Sequence, residues 1–131
     1  MRMWGIDPSL LCQKHLIGEH GEIHKHRHNF IKKHKITNRI TPIVQIEPEN
    51  MQKRHDELVL EMLKRGYKHN SPYEQPDLSY LKAEERYAQI DINISIADLT
   101  NRCVECAQKM IKNDNFISVN NNTIRPNNIY I

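Results

Sequence analysis

The apolar residues of this chain recur mostly at helical spacing. In "GIDPSLLCQKHLIGEHGEIHKHRHNF", Cys12, Leu16, Ile23 and Phe30 follow one another by four, seven and seven positions, one narrow stripe of an α-helix. Asp7-Pro8 supplies a start signal, an oxygen-bearing cap followed by a proline whose missing N–H is not needed at the first helical position. Gly18 and Gly21 interrupt this helix, each costing about 1 kcal/mol relative to alanine. Close helix packing is the commoner reason for such glycines; approach of a ligand backbone is the other.

A second helix is predicted from Glu47-Pro48 through "MQKRHDELVLEMLKR" to Gly66, with Met51, His55, Leu58 and Met62 facing inward, flanked by Val59 and Leu63. Between the two helices, residues 31–46 are basic and then β-branched, and read as a loop with some extended structure. "GYKHNSPYEQPDLSY" carries two prolines and reads as loop. "IDINISI" alternates and by itself reads as a strand. It runs into a Ser95-x-x-Asp98 capping box and a third helical stripe of Ile96, Leu99, Cys103, Ala107 and Met110. Residues 113–131, with their Asn run, read as an irregular tail. The expected fold is all-α, one domain over 1–131 with about three main helices, long loops and room for a short extended segment at 90–96.

At 131 residues the chain is one domain in length, and 38% hydrophobic with 27% charged residues describes a globular protein. No run of 18 apolar residues is present that could span a membrane, and the N-terminus lacks a secretory pattern. Three cysteines, an odd number, point to reduced thiols and an intracellular setting. The net charge of +3 conceals an asymmetry: residues 1–70 carry 13 Lys/Arg against 8 Asp/Glu and all eight histidines, whereas residues 71–131 carry 6 against 8. A polyanion would therefore meet the first half.

Five of the eight histidines lie in "HLIGEHGEIHKHRH", residues 15–28. At about 100° per residue, His15, Gly18, Glu22 and Lys25 fall within about 80° of one another, while His24 lies about 160° from Glu22. The stretch therefore has two surfaces. His20, His24 and His28 have the i, i+4 spacing that lets imidazoles converge on a metal ion, although such a ladder without a carboxylate or cysteine partner is more often a solvated face. The basic run Lys25, Arg27, Lys32, Lys33 and Lys35 suits either solvent or phosphate contact. Cys103-x-x-Cys106 would be a metal or redox pair on a loop, but it falls on the apolar stripe of a predicted helix, where free cysteines act as small buried hydrophobes, and inward-facing His55 reads as a core histidine.

The segments "LLCQKHLIGEHGEIHKH" and "KRHDELVLEMLKRGY" resemble the bacteriophage endonuclease V type of pyrimidine-dimer DNA glycosylase, over the N-terminus through about Pro72. "MRMW", "DPSLLC", "RHDEL" and "HNSP" are similar to a subgroup of phage and viral proteins. The resemblance implies a compact helical monomer that flips a base out of damaged double-stranded DNA and needs no cofactor or metal. It also implies a nucleophilic N-terminal α-amine, here that of Met1, with Glu22 as the acid/base partner. An α-amine, with a pKa of about 7.7–8, is partly unprotonated near neutrality, unlike a lysine amine at about 10.4. Arg2, Lys14, His15, Lys25 and Arg27 are the implied DNA contacts, together with Gly21, which stands where the classical enzyme has a lesion-binding arginine. Lys25 also replaces an arginine, keeping the charge but losing bidentate geometry.

Two further departures bear on function. Bulky Arg2 should keep Met1 in place, and only Tyr130 stands near the family's aromatic C-terminal end. Two other readings fit the same residues: a DNA-binding protein that has lost the chemistry, and a metal protein using His20, His24 and His28, with or without Glu19.

Overall fold

The computed structural model describes the backbone of residues 2–117 and the side chains of residues 2–112; Met1, Tyr130 and the rest of 118–131 lie outside the described residues. Its α-helices are α1 (Gln13–Ile31), α2 (Thr37–Ile40), α3 (Met51–Lys64), α4 (Ala83–Arg86), α5 (Ile92–Arg102) and α6 (Val104–Ile117). Short 3-10 turns at Pro8–Leu10 and Pro48–Asn50 lead into α1 and α3, and no strand forms among the described residues. The mainly helical expectation holds, with four long helices rather than three.

Helix α1 starts later than the sequence suggests. Asp7 does act as a cap, its Oδ1 accepting from the Ser9 N–H at 3.0 Å, but it caps the Pro8–Leu10 turn. The chain is then extended at Leu11 and Cys12, and α1 begins at Gln13. Arg65, just past α3, donates to the Leu11 carbonyl at 2.7 Å and to the Pro8 carbonyl at 3.2 Å, the latter also accepting from the Leu11 N–H, and so ties the break to α3.

Cys12, Leu16, Ile23 and Phe30 are all buried, as expected, and so are Met51, His55, Leu58 and Met62 across from them on α3. Periodicity counted over apolar residues alone missed Glu19, His26 and Arg54, which occupy the same inward faces. Glu19, 2% exposed, accepts two bonds from Arg54, at 2.7 Å from Nε and 3.0 Å from Nη2. Burial works against the Arg54 cation, but these bonds and the Glu19 charge outweigh it and leave the guanidinium pKa raised. Helix α3 ends on Gly66 at φ +84°, with Gly66 N–H bonded to Leu63 O and Tyr67 N–H to Met62 O, a Schellman arrangement that only a glycine accommodates without strain.

In residues 31–46 the single turn of α2 replaces part of the expected loop, and the backbone is extended at Thr41 (φ −123°, ψ 135°). The expected strand at 90–96 is also replaced, because α5 begins at Ile92. Asp91, rather than Ser95, is its cap, accepting from the Asn93 and Ile94 N–H groups. Ser95 and Leu99, four apart, are the residues buried, whereas Ile92 and Ile94 are exposed. The third stripe does not form one helix: the backbone is extended at Cys103 (φ −133°, ψ 110°), which separates α5 from α6. Helix α6 then reaches Ile117, so the irregular tail does not begin at 113.

Removing one partner of the buried pair should be costly: Arg54→Met is expected to lower unfolding free energy by about 3–5 kcal/mol, and adding Glu19→Leu should restore much of it, as read by urea denaturation. His26 is buried and makes no hydrogen bond among the described residues, and burial followed by the Arg39 charge pushes its pKa down to about 4. The unfolded chain takes up this proton near pH 6.5 and the folded chain near 4, so stability contributed by neutral His26 should fall as pH drops through that window. His26→Leu should flatten the acid limb of a stability–pH curve.

Candidate functional site

The N-terminal segment is held on three sides. Met3 N–H donates to Gln45 O at 2.8 Å, Ser95 Oγ donates to Trp4 O at 2.5 Å, and the Arg2 guanidinium pairs with Asp98 at 2.6 Å while lying 4.7 Å over the Trp4 ring. Gly5, at φ +69°, lets the backbone turn under α5; a Cβ there would sit 3.1 Å from Ile92 Cδ1. These contacts set Arg2 and Trp4 against the face of α1 that carries His15, Gly18 and Glu22.

Together they enclose a cleft of about 250 Å³ lined by Arg2, Trp4, Lys14, His15, Gly18, Glu19, Glu22 and Arg102. A second depression shares Lys14 and Gly18 and reaches Glu105. Glu22 Oε1 is buried and makes no hydrogen bond among the described residues, and the same holds for Arg2 Nε and Nη2. The cleft thus combines an unpartnered carboxylate oxygen with unpartnered guanidinium donors, beside the cations Lys14 and Arg102. Burial, and then the charges of Lys14 and Arg102, push His15 below its ordinary pKa and favour a neutral imidazole.

Of the residues singled out from sequence, Arg2, Lys14, His15 and Glu22 share this cleft. Lys25 is exposed one turn along α1 and does not line it. Arg27 is turned away, its Nε bonded to Glu74 O at 2.7 Å on the loop after α3. A Cβ at Gly18 or Gly21 would meet no atom within 4 Å, so neither glycine is there for helix packing. Trp4 and Arg102 were missed; Arg102 lies 5.8 Å over the Trp4 ring and 3.0 Å from Asp98, a placement only the docking of α5 determines.

The histidine ladder does not act as three. His20 and His24 instead meet His55 of α3 and His69 of the following loop, with ligand nitrogens within 4.8 Å of one another; His28 is not in this group. His20 and His69 bring Nε2 atoms to 3.1 Å, and His55 Nδ1 lies 3.0 Å from Asp56. Burial and the neighbouring imidazoles push His20 down to about 4, and His24 is lowered as well. Glu19, paired with Arg54, is no part of this group. A second cluster joins Cys12, His15, Cys103 and Cys106, again with ligand atoms within 4.8 Å. Cys12 and Cys106 are buried in the core, as expected, and Cys103, packed against it, is partly exposed at the α5–α6 break. No helix is long and apolar enough to cross a membrane.

No curated protein matches the chain, and no solved structure does. The family model described as pyrimidine dimer DNA glycosylase matches residues 1–75, the part that supplies α1, α3 and every cleft residue but Arg102. That match spans more than half of the 131 residues, and the chain belongs to the pyrimidine dimer DNA glycosylase family.

Proposed function

We propose that the protein is a monomeric DNA glycosylase with AP-lyase activity on damaged duplex DNA inside the cell, and that its chemistry takes place in the Glu22 cleft. The observation that carries this reading is Glu22 Oε1, buried and without a partner among the described residues, in one cleft with Arg2. Covalent geometry keeps the Met1 α-amine one residue, about 3.8 Å between Cα atoms, from Arg2.

In the proposed reaction the unprotonated Met1 amine attacks the sugar C1′. The bond from C1′ to the base breaks with its electron pair leaving on the base, and the Glu22 carboxylate stabilises the cationic character that develops at the sugar. Loss of a proton from nitrogen and opening of the ring yield a Schiff base between Met1 and C1′. Glu22 then removes a C2′ proton, and β-elimination breaks the C3′–O bond to cut the strand. Arg2, Lys14 and Arg102 supply positive charge for the backbone phosphates, with Lys25 farther along the same side of α1. Open space at Gly18 and Gly21 leaves the α1 backbone approachable by the substrate.

Borohydride should trap a covalent adduct between the protein and an abasic or dimer-containing duplex. Glu22→Gln should slow strand cleavage by about 10²–10⁴-fold, and blocking the α-amine should abolish the adduct; an adduct indifferent to both changes rules the mechanism out. Gly18→Ala separates stability from function: the variant should be more stable by about 1 kcal/mol in thermal or chemical unfolding, yet bind and cleave damaged duplex more weakly, because its methyl enters the cleft. A second reading, duplex binding without chemistry, is favoured by the Met1-Arg2 opening, which departs from the family's small N-terminal nucleophile. Salt-sensitive binding with no turnover on any lesion would establish it.

A further inference from the structure

We propose that Cys12, His15, Cys103 and Cys106 form a structural zinc site. The reading rests on these four side chains and stands apart from the glycosylase mechanism. Each half is a pair spaced by two residues, Cys12-x-x-His15 entering α1 and Cys103-x-x-Cys106 entering α6. In sequence the first half is masked because Cys12 also fits the apolar stripe, and the second, a recognisable pair, reads as core packing because a continuous helix is expected where the chain breaks.

The geometry is that of a tetrahedral thiolate–imidazole set. Zinc bonds of about 2.3 Å to sulfur and about 2.0–2.1 Å to nitrogen place neighbouring ligand atoms about 3.5–3.8 Å apart. Cys12 Sγ lies 3.7 Å from Cys103 Sγ, His15 Nδ1 lies 3.7 Å from Cys106 Sγ, and His15 Nδ1 lies 3.2 Å from Cys12 Sγ. The sulfurs are also aimed at by backbone donors, as thiolates require: the Cys12 N–H points at Cys106 Sγ at 3.2 Å and the Cys106 N–H at Cys103 Sγ at 3.4 Å. Three thiolates around a divalent ion leave one net negative charge, and Lys14 and Arg102 are close enough to act on the His15 charge. Four protein ligands close the coordination sphere, so the ion serves structure and leaves no open position for substrate.

Zinc here would join the start of α1 to the α5–α6 break, fastening the family-matched segment to the helices that follow it. It would also hold His15, a wall of the cleft, and set Arg102 through its neighbour Cys103. The four-histidine cluster is the competing location for a metal, and sulfur chemistry tells the two apart.

Untagged full-length protein, purified reduced and without added metal, should carry stoichiometric zinc by elemental analysis. A thiol-specific mercurial should release that zinc, and chelation should lower the melting temperature. Replacement by Co(II) should give a thiolate-to-cobalt charge-transfer band that persists in His20→Ala and is lost in Cys12→Ser and Cys106→Ser. The mercurial and cobalt readings use the wild-type chain, so they decide the matter even where a cysteine variant does not fold. Absence of stoichiometric metal, metal that stays bound when the thiols are blocked, or a metal-free protein whose cysteines are joined as a disulfide would each overturn the site.

Discussion

Glu19 and Arg54 leave water together, and much of the molecule is arranged around that pair. A carboxylate buried at 2% exposure requires a matched donor, and the two bonds from Arg54 fix α1 against α3 in rotation as well as distance. Apolar contacts alone would tolerate some rolling of one helix on the other, whereas a two-bond charge pair does not. Once α1 is set, its helical period assigns every other side chain. Leu16, Ile23 and Phe30 go to the core, Glu22 and Gly18 to one side, and His20 and His24 to the other.

What the first side becomes depends on a short N-terminal stretch with little structure of its own. Residues 2–5 make no helix, and they are held by bonds to Gln45, Ser95 and Asp98 from elsewhere in the chain. The cleft is therefore assembled from three distant pieces: the N-terminus, α1 and the end of α5. Its floor holds one carboxylate already neutralised by Arg54 and one, Glu22, with an oxygen left free. Two acids three residues apart on one helix have thus been given different environments, one paired with Arg54 and the other with an oxygen that has no partner among the described residues.

The inward faces of α1 and α3 were legible because burial imposes a helical period on apolar residues, and the division of the histidine-rich stretch into two surfaces followed from the same period. Glu19, His26 and Arg54 escaped because a polar residue on a buried face breaks no pattern visible in one chain; its partner lies on another helix. "IDINISI" misled because alternation is only a local signal. The Asp91 cap and the Ser95 bond to Trp4 O, a contact 91 residues away, favour a helix. Trp4, Arg102, the His55 and His69 additions to the histidine group, and the meeting of Cys12 with Cys103 all depend on tertiary docking. Only the cysteines carry a signal in sequence spacing, the two halves Cys12-x-x-His15 and Cys103-x-x-Cys106, and nothing in the spacing says that the halves meet.

In the proposed reaction the reacting nitrogen belongs to the chain terminus, with Glu22 rather than a lysine beside it doing the proton work. Lys14 lines the same cleft and is the natural rival nucleophile. Peptide mapping of the borohydride-trapped DNA adduct by mass spectrometry distinguishes them directly. The proposed reaction puts sugar mass on the α-amine of the N-terminal peptide; an adduct on Lys14, or on any other lysine, would rule it out.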